Sequence, residues 1–179
     1  MAHDGQDLTM TQSVILPDLL ALTGAAVAPL ETLLEKATAS VREMVSVDGR
    51  VSGGKLEENQ NAAHGLSWLA TYVEALRQMQ KWATALQGDG KFGEMEQLIH
   101  QIAFGEYLWQ IYGGIPMSQG EIVRLADIGL TAEDTSVLSG GAVNTLVAKG
   151  NSQAARTRLV DLMQEQSANI TVGTTGLDE

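Results

Sequence analysis

The chain has 179 residues, of which 44% are hydrophobic, and its formal net charge is −11. This length fits one domain with a sizeable core. It contains no cysteine, which excludes disulfides, cysteine-ligated zinc and thiol nucleophiles. The acidic surface repels nucleic acid and anionic lipid, so we expect neither nucleic acid nor membrane as a partner.

The chain start carries no targeting pattern. The opening residues are polar, and no basic stretch leads into an apolar core there. No window approaches the roughly 20 apolar residues of a membrane span. We therefore expect a cytoplasmic protein with a disordered lead at residues 1–13, a helical bundle domain at 14–169 and a linker at 170–179.

The first half of the chain predicts long helices. Apolar residues recur at helical spacing from about Pro17 to Met44, and Pro29 is expected to kink or split this helix. Glycine-rich loops separate it from a second helix at about 56–86 and a third at about 92–112. Because the third helix is apolar on most sides, it should be central.

The second half predicts shorter helices. Ser118 and Glu121 have capping-box spacing, which predicts a fourth helix over about 118–128. Thr131 and Asp134 offer caps for a fifth helix, which would contain Gly140-Gly141, and Asn151 would cap a sixth. The fold class that follows is all-α, a bundle of about five or six helices with two long central ones.

Few residues suggest catalysis or metal binding. His3 falls in the predicted lead, whereas His64 and His100 lie on predicted helices as solvated or hydrogen-bonded side chains. The alternative is a small enzyme in which one of them meets a carboxylate in a pocket. Glu96 and His100 share a helical face, but two ligands do not make a site, so we expect no metal.

The segment Gln110-Ile-Tyr-Gly-Gly114 resembles the Gln-aliphatic-x-Gly-Gly segment in the helical domain of acyl-CoA dehydrogenases. The resemblance implies that Gln110, Gly113 and Gly114 contact the ADP part of FAD held mainly by a neighbouring subunit. Beyond Gly114 the chain departs from the family, which continues with glycine and an aromatic residue. A catalytic glutamate in a matching context is missing as well.

Longer stretches resemble the N-terminal extension of one subgroup of this family. They are residues 62–83, 93–124 and 170–179. The resemblance implies a non-catalytic helical module of an FAD-dependent enzyme, similar in fold to the family's own helical domain and without a cofactor of its own. It also implies the remainder of a dehydrogenase chain as partner and a homo-oligomeric assembly. The alternative is a stand-alone α-helical protein-interaction domain.

Overall fold

The computed structural model describes residues 13–167, which form a helical bundle with two small hairpins. This confirms the predicted all-α class. The elements, in chain order, are helix α1 (Leu19–Val45), strands β1 (Ser46–Val47) and β2 (Arg50–Val51), helices α2 (Gly53–Glu58), α3 (Gln60–Gly88) and α4 (Glu94–Gly113), strands β3 (Ile115–Ser118) and β4 (Glu121–Val123), a 3-10 turn (Leu125–Ile128), helix α5 (Ala132–Thr135), a second 3-10 turn (Ser136–Ser139), and helices α6 (Gly141–Lys149) and α7 (Gln153–Glu165).

The core lies among the long helices. Helix α1 packs along α3, and α4 packs against α3, α6 and α7. The largest fully buried side chains include Leu30 and Leu33 of α1, Leu69 and Leu76 of α3, and Phe104 of α4. Their removal from water supplies most of the driving force, at about 25 cal/mol per Å² of apolar surface. Helix α4 is central, as its apolar sequence predicts. Helix α1 is a third long helix, beside the two that were predicted to be long and central.

The long helices differ from the predictions at two points. Pro29 does not split α1, which is continuous from Leu19 to Val45, and the kink at Pro29 stays a prediction. The carbonyl that loses its partner belongs to Ala25, which lies on the exposed side where water can bond it. The predicted second helix is in turn interrupted at Asn59, whose Nδ2 donates to the carbonyl of Lys55 at 2.9 Å and ends α2.

The fourth predicted helix is wrong over most of its length. Residues 115–123 form an antiparallel hairpin, in which Ile115 pairs with Val123 and Pro116 with Ile122. Ser118 Oγ donates to a carboxylate oxygen of Glu121 at 2.9 Å across the turn, so the pair closes a hairpin instead of capping a helix. Within the predicted helix, only Leu125–Ile128 is helical, and it forms a 3-10 turn.

The caps in the last third are partly as predicted. Thr131 and Asp134 form the expected capping box, with the Asp134 N–H donating to Thr131 Oγ1 at 3.2 Å. The helix that they begin ends at Thr135, and Gly140 is the N-cap of α6 rather than an interior position. Ser152, not Asn151, caps α7.

Gln101 joins the segment before α1 to the turn before α7. Its side chain is fully buried on α4. Its Oε1 accepts from the N–H of Leu16 at 2.7 Å, and its Nε2 donates to the carbonyls of Val14 and Gly150. Val14 and Ile15 also pack against a small core that contains Ala155 of α7. One side chain thus holds the segment before α1 and the turn before α7 on the same helix.

Parts of the sequence predictions remain outside these observations. The disordered lead and the linker lie outside the described residues, apart from Ser13. Within residues 13–167, none of the helices has the length and apolar character needed to cross a membrane.

Candidate functional site

Gln110 is held inside the bundle by hydrogen bonds at both ends of its amide. Tyr72 of α3 donates its hydroxyl to Gln110 Oε1 at 2.5 Å, and Gln110 Nε2 donates to Glu106 Oε1 one helical turn earlier. Burial, followed by the nearby Tyr107 and Glu106, raises the pKa of Tyr72, which favours its donor form. The amide that the resemblance assigns to flavin is therefore committed to neighbouring side chains.

These bonds belong to a longer polar chain that ties three helices together. The other carboxylate oxygen of Glu106 accepts from Asn151 Nδ2 in the turn before α7. Asn151 Oδ1 in turn accepts from Arg156 of α7 at 3.1 Å. Asn151 was predicted as a helix cap, and its role across 45 residues of sequence could not be read from local spacing.

Gly113 and Gly114 form the corner at which α4 ends. Gly114 has φ +130 and donates its N–H to the carbonyl of Gln110 at 2.8 Å. A Cβ on Gly114 would lie 2.5 Å from Ile122 Cγ2, whereas a Cβ on Gly113 would meet nothing within 4 Å. Glycine at 114 is thus required by backbone conformation and by close packing of the hairpin.

The corner as arranged here does not fit a flavin diphosphate. It lies at the C-terminal end of α4, where free carbonyl oxygens and the negative end of the helix dipole disfavour a phosphate. The Gly114 N–H is already bonded within the helix. The flavin-contacting role of Gln110, Gly113 and Gly114 stays a prediction from resemblance, and no chemical step is derived through a flavin in this chain.

Alanine substitutions separate the two glycines. We expect Gly114→Ala to lower the free energy of unfolding by about 2 kcal/mol, because of its positive φ and the collision with Ile122. Gly113→Ala should change it by less than about 1 kcal/mol. Urea titrations followed by circular dichroism measure both. Equal losses would contradict the structural reading of Gly114.

His64 does not meet a carboxylate. It is exposed on α3, where its Nε2 accepts from the indole N–H of Trp68 at 3.0 Å. The shallow hollow beside it, of about 300 Å³, is lined by His64, Ser67, Trp68 and Thr71. A general base needs a partner that orients it or a substrate cavity, and the hollow supplies neither.

His100 is buried among aromatic rings. It is fully buried on α4, with the rings of Phe92 and Phe104 centred 5.8 and 4.7 Å away. Its Nε2 lies 2.9 Å from Thr23 Oγ1. The Thr23 hydroxyl also lies 2.9 Å from the carbonyl of Leu19, and when it donates there the ring nitrogen is the donor to Thr23. The prediction of a hydrogen-bonded helix histidine is confirmed for His100.

The surroundings of His100 keep it neutral. Its Nδ1 is buried and lacks a hydrogen-bond partner among the described residues. Burial lowers the pKa of His100 to about 4. A group sealed in this way is a structural element of the core, and catalysis by it would need the core to open. His3 lies outside the described residues.

Metal ligands do not gather in the described part of the chain. Among residues 13–167, no group of three or more His, Asp or Glu side chains is placed to hold a metal ion. His100 faces Thr23, so the pair that it forms with Glu96 on the helix is not a ligand pair.

Several open grooves lie on the surface of residues 13–167, and two of them are relevant to a binding site. One of about 590 Å³ lies between α1 and α3, lined by Glu31, Leu34, Glu35, Thr38, Ala39, Arg42 and Arg77. Arg77 donates there to Glu74 at 2.7 Å and lies 3.5 Å from Glu31, so its charge is compensated. The other, of about 430 Å³, lies at the glycine corner, between Tyr112-Gly113 and residues 124–135.

Sequence reasoning missed the second groove. The prediction of a central third helix that is apolar on most sides gives no reason to expect exposed aromatic residues on it, yet Trp109 and Tyr112 are both more than half exposed. Arg124 was read as a helical residue and lies at the groove instead. The available signal was the spacing of Trp109 and Tyr112, three apart on a helix that also carries a full buried stripe.

Comparison with known proteins relates the sequence of this chain to one class of enzyme. The chain is similar to part of an acyl-CoA dehydrogenase, which confirms the resemblance found in the sequence. The relative is the (2S)-methylsuccinyl-CoA dehydrogenase of Cereibacter sphaeroides, which is 54% identical over 170 residues. The match covers 95% of this chain and 30% of the relative. No family model matches the chain.

Proposed function

We propose that this chain is a non-catalytic helical module of an FAD-dependent acyl-CoA dehydrogenase similar to (2S)-methylsuccinyl-CoA dehydrogenase. The observation that carries the proposal is the match itself, which spans nearly all of this chain and under a third of the relative. The enzyme as a whole would oxidise methylsuccinyl-CoA to mesaconyl-CoA in the ethylmalonyl-CoA pathway of the cytoplasm. FAD would belong to the rest of that enzyme.

The chain's own side chains support a role in packing, assembly or shielding of the active-site entrance. His100 is buried against aromatic rings, and His64 lies on the surface beside a shallow hollow. Its glycine corner is shaped by Ile122 and by the end of α4. These features build a rigid body with exposed apolar residues, which is what a docking module requires.

A replacement experiment tests this proposal. The matched segment is deleted from the C. sphaeroides enzyme, and in a second version this chain is inserted in its place. We expect deletion to reduce soluble yield, assembly and methylsuccinyl-CoA oxidation, and the insertion to restore them. The control is this chain alone, which should show neither flavin absorbance nor turnover. Activity of the isolated chain, or an inactive and misassembled chimera, would contradict the proposal.

The alternative is a stand-alone α-helical interaction domain, and the exposed Trp109 and Tyr112 favour it equally. The intact mass of the gene product separates the two. A mass about three times the 19.1 kDa of this chain, as the 30% coverage implies, supports the dehydrogenase module. A product of 19.1 kDa supports the stand-alone domain.

A further inference from the structure

An apolar surface without a partner surrounds the end of α4. We call Trp109, Tyr112, Ile122 and Arg124 the aromatic patch. Trp109 is 58% exposed, Tyr112 61% and Ile122 46%. Trp109 and Tyr112 lie three residues apart, so their side chains are neighbours on one helical face. Large aromatic side chains are seldom left in water without a reason, and they are enriched where proteins meet.

The glycine corner joins the members of this patch. The Cβ position of Gly114 lies 2.5 Å from Ile122 Cγ2 and 3.7 Å from Arg124 Cγ. Tyr112 and Arg124 both line the groove of about 430 Å³. Helix α4 and strand β4 therefore present one continuous surface with a recess, because glycine lets the hairpin fold close against the helix end.

One cation of this surface has no ion-pair partner among the described residues. Arg124 is exposed and makes no ion pair with any of residues 13–167. The neighbouring carboxylates accept from other donors, Asp127 from the Arg124 backbone N–H at 2.7 Å and Glu121 from Ser118. A guanidinium without an ion pair beside exposed aromatic rings suits an apolar partner surface that carries a carboxylate.

We infer that the aromatic patch is the surface on which the dehydrogenase part of the longer enzyme docks, with a carboxylate of that part facing Arg124. This inference rests on the proposed function. The relative extends well beyond the 30% of its length that this chain matches, so a large partner surface would be available in the same polypeptide. A second copy of this chain fits less well, because two chains of net charge −11 repel one another.

Hydroxyl-radical footprinting of the free chain and of the chimera described above tests the docking surface. Mass spectrometry reports the oxidation rate of each residue. We expect the rates at Trp109 and Tyr112 to fall at least about fivefold in the chimera, as a fully buried interface core requires. Trp82 and Met163 are 39% and 48% exposed on other parts of the bundle, and their rates should stay unchanged.

A charge reversal at the proposed contact sharpens the test. Arg124→Glu in the chimera should return at least about half of the lost reactivity to Trp109, because a buried like-charge contact costs several kcal/mol. Lys91→Glu is the matched control, since it reverses an exposed cation in the loop before α4. It should leave the footprint as it is.

The outcomes separate this inference from the proposed function. Protection of Trp82 or Met163 without protection of the patch, in an active chimera, overturns the inference and leaves the proposed function standing. Protection of the patch in the free chain that grows with concentration assigns the surface to a second copy, and also overturns it. An inactive chimera with an unchanged footprint overturns both.

Discussion

Replacing Gly105 with alanine is expected to lower the free energy of unfolding by at least about 3 kcal/mol. A Cβ at this position would lie 2.5 Å from the Asn151 backbone nitrogen and 2.9 Å from Gly150 Cα. Backbone atoms cannot swing away as a side chain can, so α4 and the turn before α7 would have to separate.

That separation would also break polar contacts. Gln101 Nε2 donates to the Gly150 carbonyl at 3.2 Å, and Glu106 accepts from the side chain of Asn151. Buried groups that lose their partners cost about 1–3 kcal/mol each, which adds to the steric cost. Circular dichroism in increasing urea gives the free energy, and the loss should be accompanied by faster hydrogen exchange in α7.

Gly88→Ala is the matched control for this substitution. Gly88 ends α3, lies exposed, and a Cβ there would meet nothing within 4 Å. We expect it to be neutral or to stabilise the chain by about 0.5 kcal/mol through the unfolded state. If Gly105→Ala unfolds at the same urea concentration as Gly88→Ala, the close crossing of α4 over the turn is refuted.

Acidification is expected to destabilise the chain through His100. Burial lowers its pKa to about 4 from the ordinary 6.5, so below pH 6.5 the unfolded state binds more protons than the folded state. Stability from this source is complete above pH 6.5 and falls as the pH drops from 6.5 towards 4. The loss is about 2 kcal/mol between pH 7 and pH 5 and about 3 kcal/mol in total.

A pair of histidine variants isolates this effect. His100→Gln keeps a donor for Thr23 and cannot take a proton. Between pH 7 and pH 5, its free energy of unfolding should therefore fall by about 2 kcal/mol less than that of the original chain. His64→Gln is the matched control, because it removes an exposed histidine and leaves His100 in place. Asp134, whose pKa is lowered to about 2, acts only at lower pH. Parallel curves for the original chain and His100→Gln would contradict the account.

Helix periodicity predicted most of the fold because the apolar stripes of α1, α3 and α4 are long. Where local signals were ambiguous, contacts distant in sequence decided. Ser118 and Glu121 are three apart in a capping box and in the observed turn alike. The packing of Val123 against Gly65 of α3 favours the hairpin over a helix. The contact is so close that a Cβ on Gly65 would overlap the Val123 side chain. A single sequence does not reveal that pairing.

The candidate site, like the fold, was predicted only in part from the sequence. The glycine corner was found from its sequence, and the packing reason for Gly114 required knowledge of where Ile122 lies. The exposure of Trp109 and Tyr112 was missed, since a mostly apolar helix predicts burial on all sides. The local sequence pattern predicts which helix is central. Which part of that helix stays exposed to solvent depends on how the other helices are arranged around it.

Val14 and Ile15 pack against the small cluster that contains Leu162 of α7, so the first and last described segments lie side by side. A domain whose first and last segments are adjacent can be added to or removed from a longer polypeptide without forcing the flanking segments apart. For the same reason the chain is suited to circular permutation, with new ends opened at the exposed loop of residues 88–93.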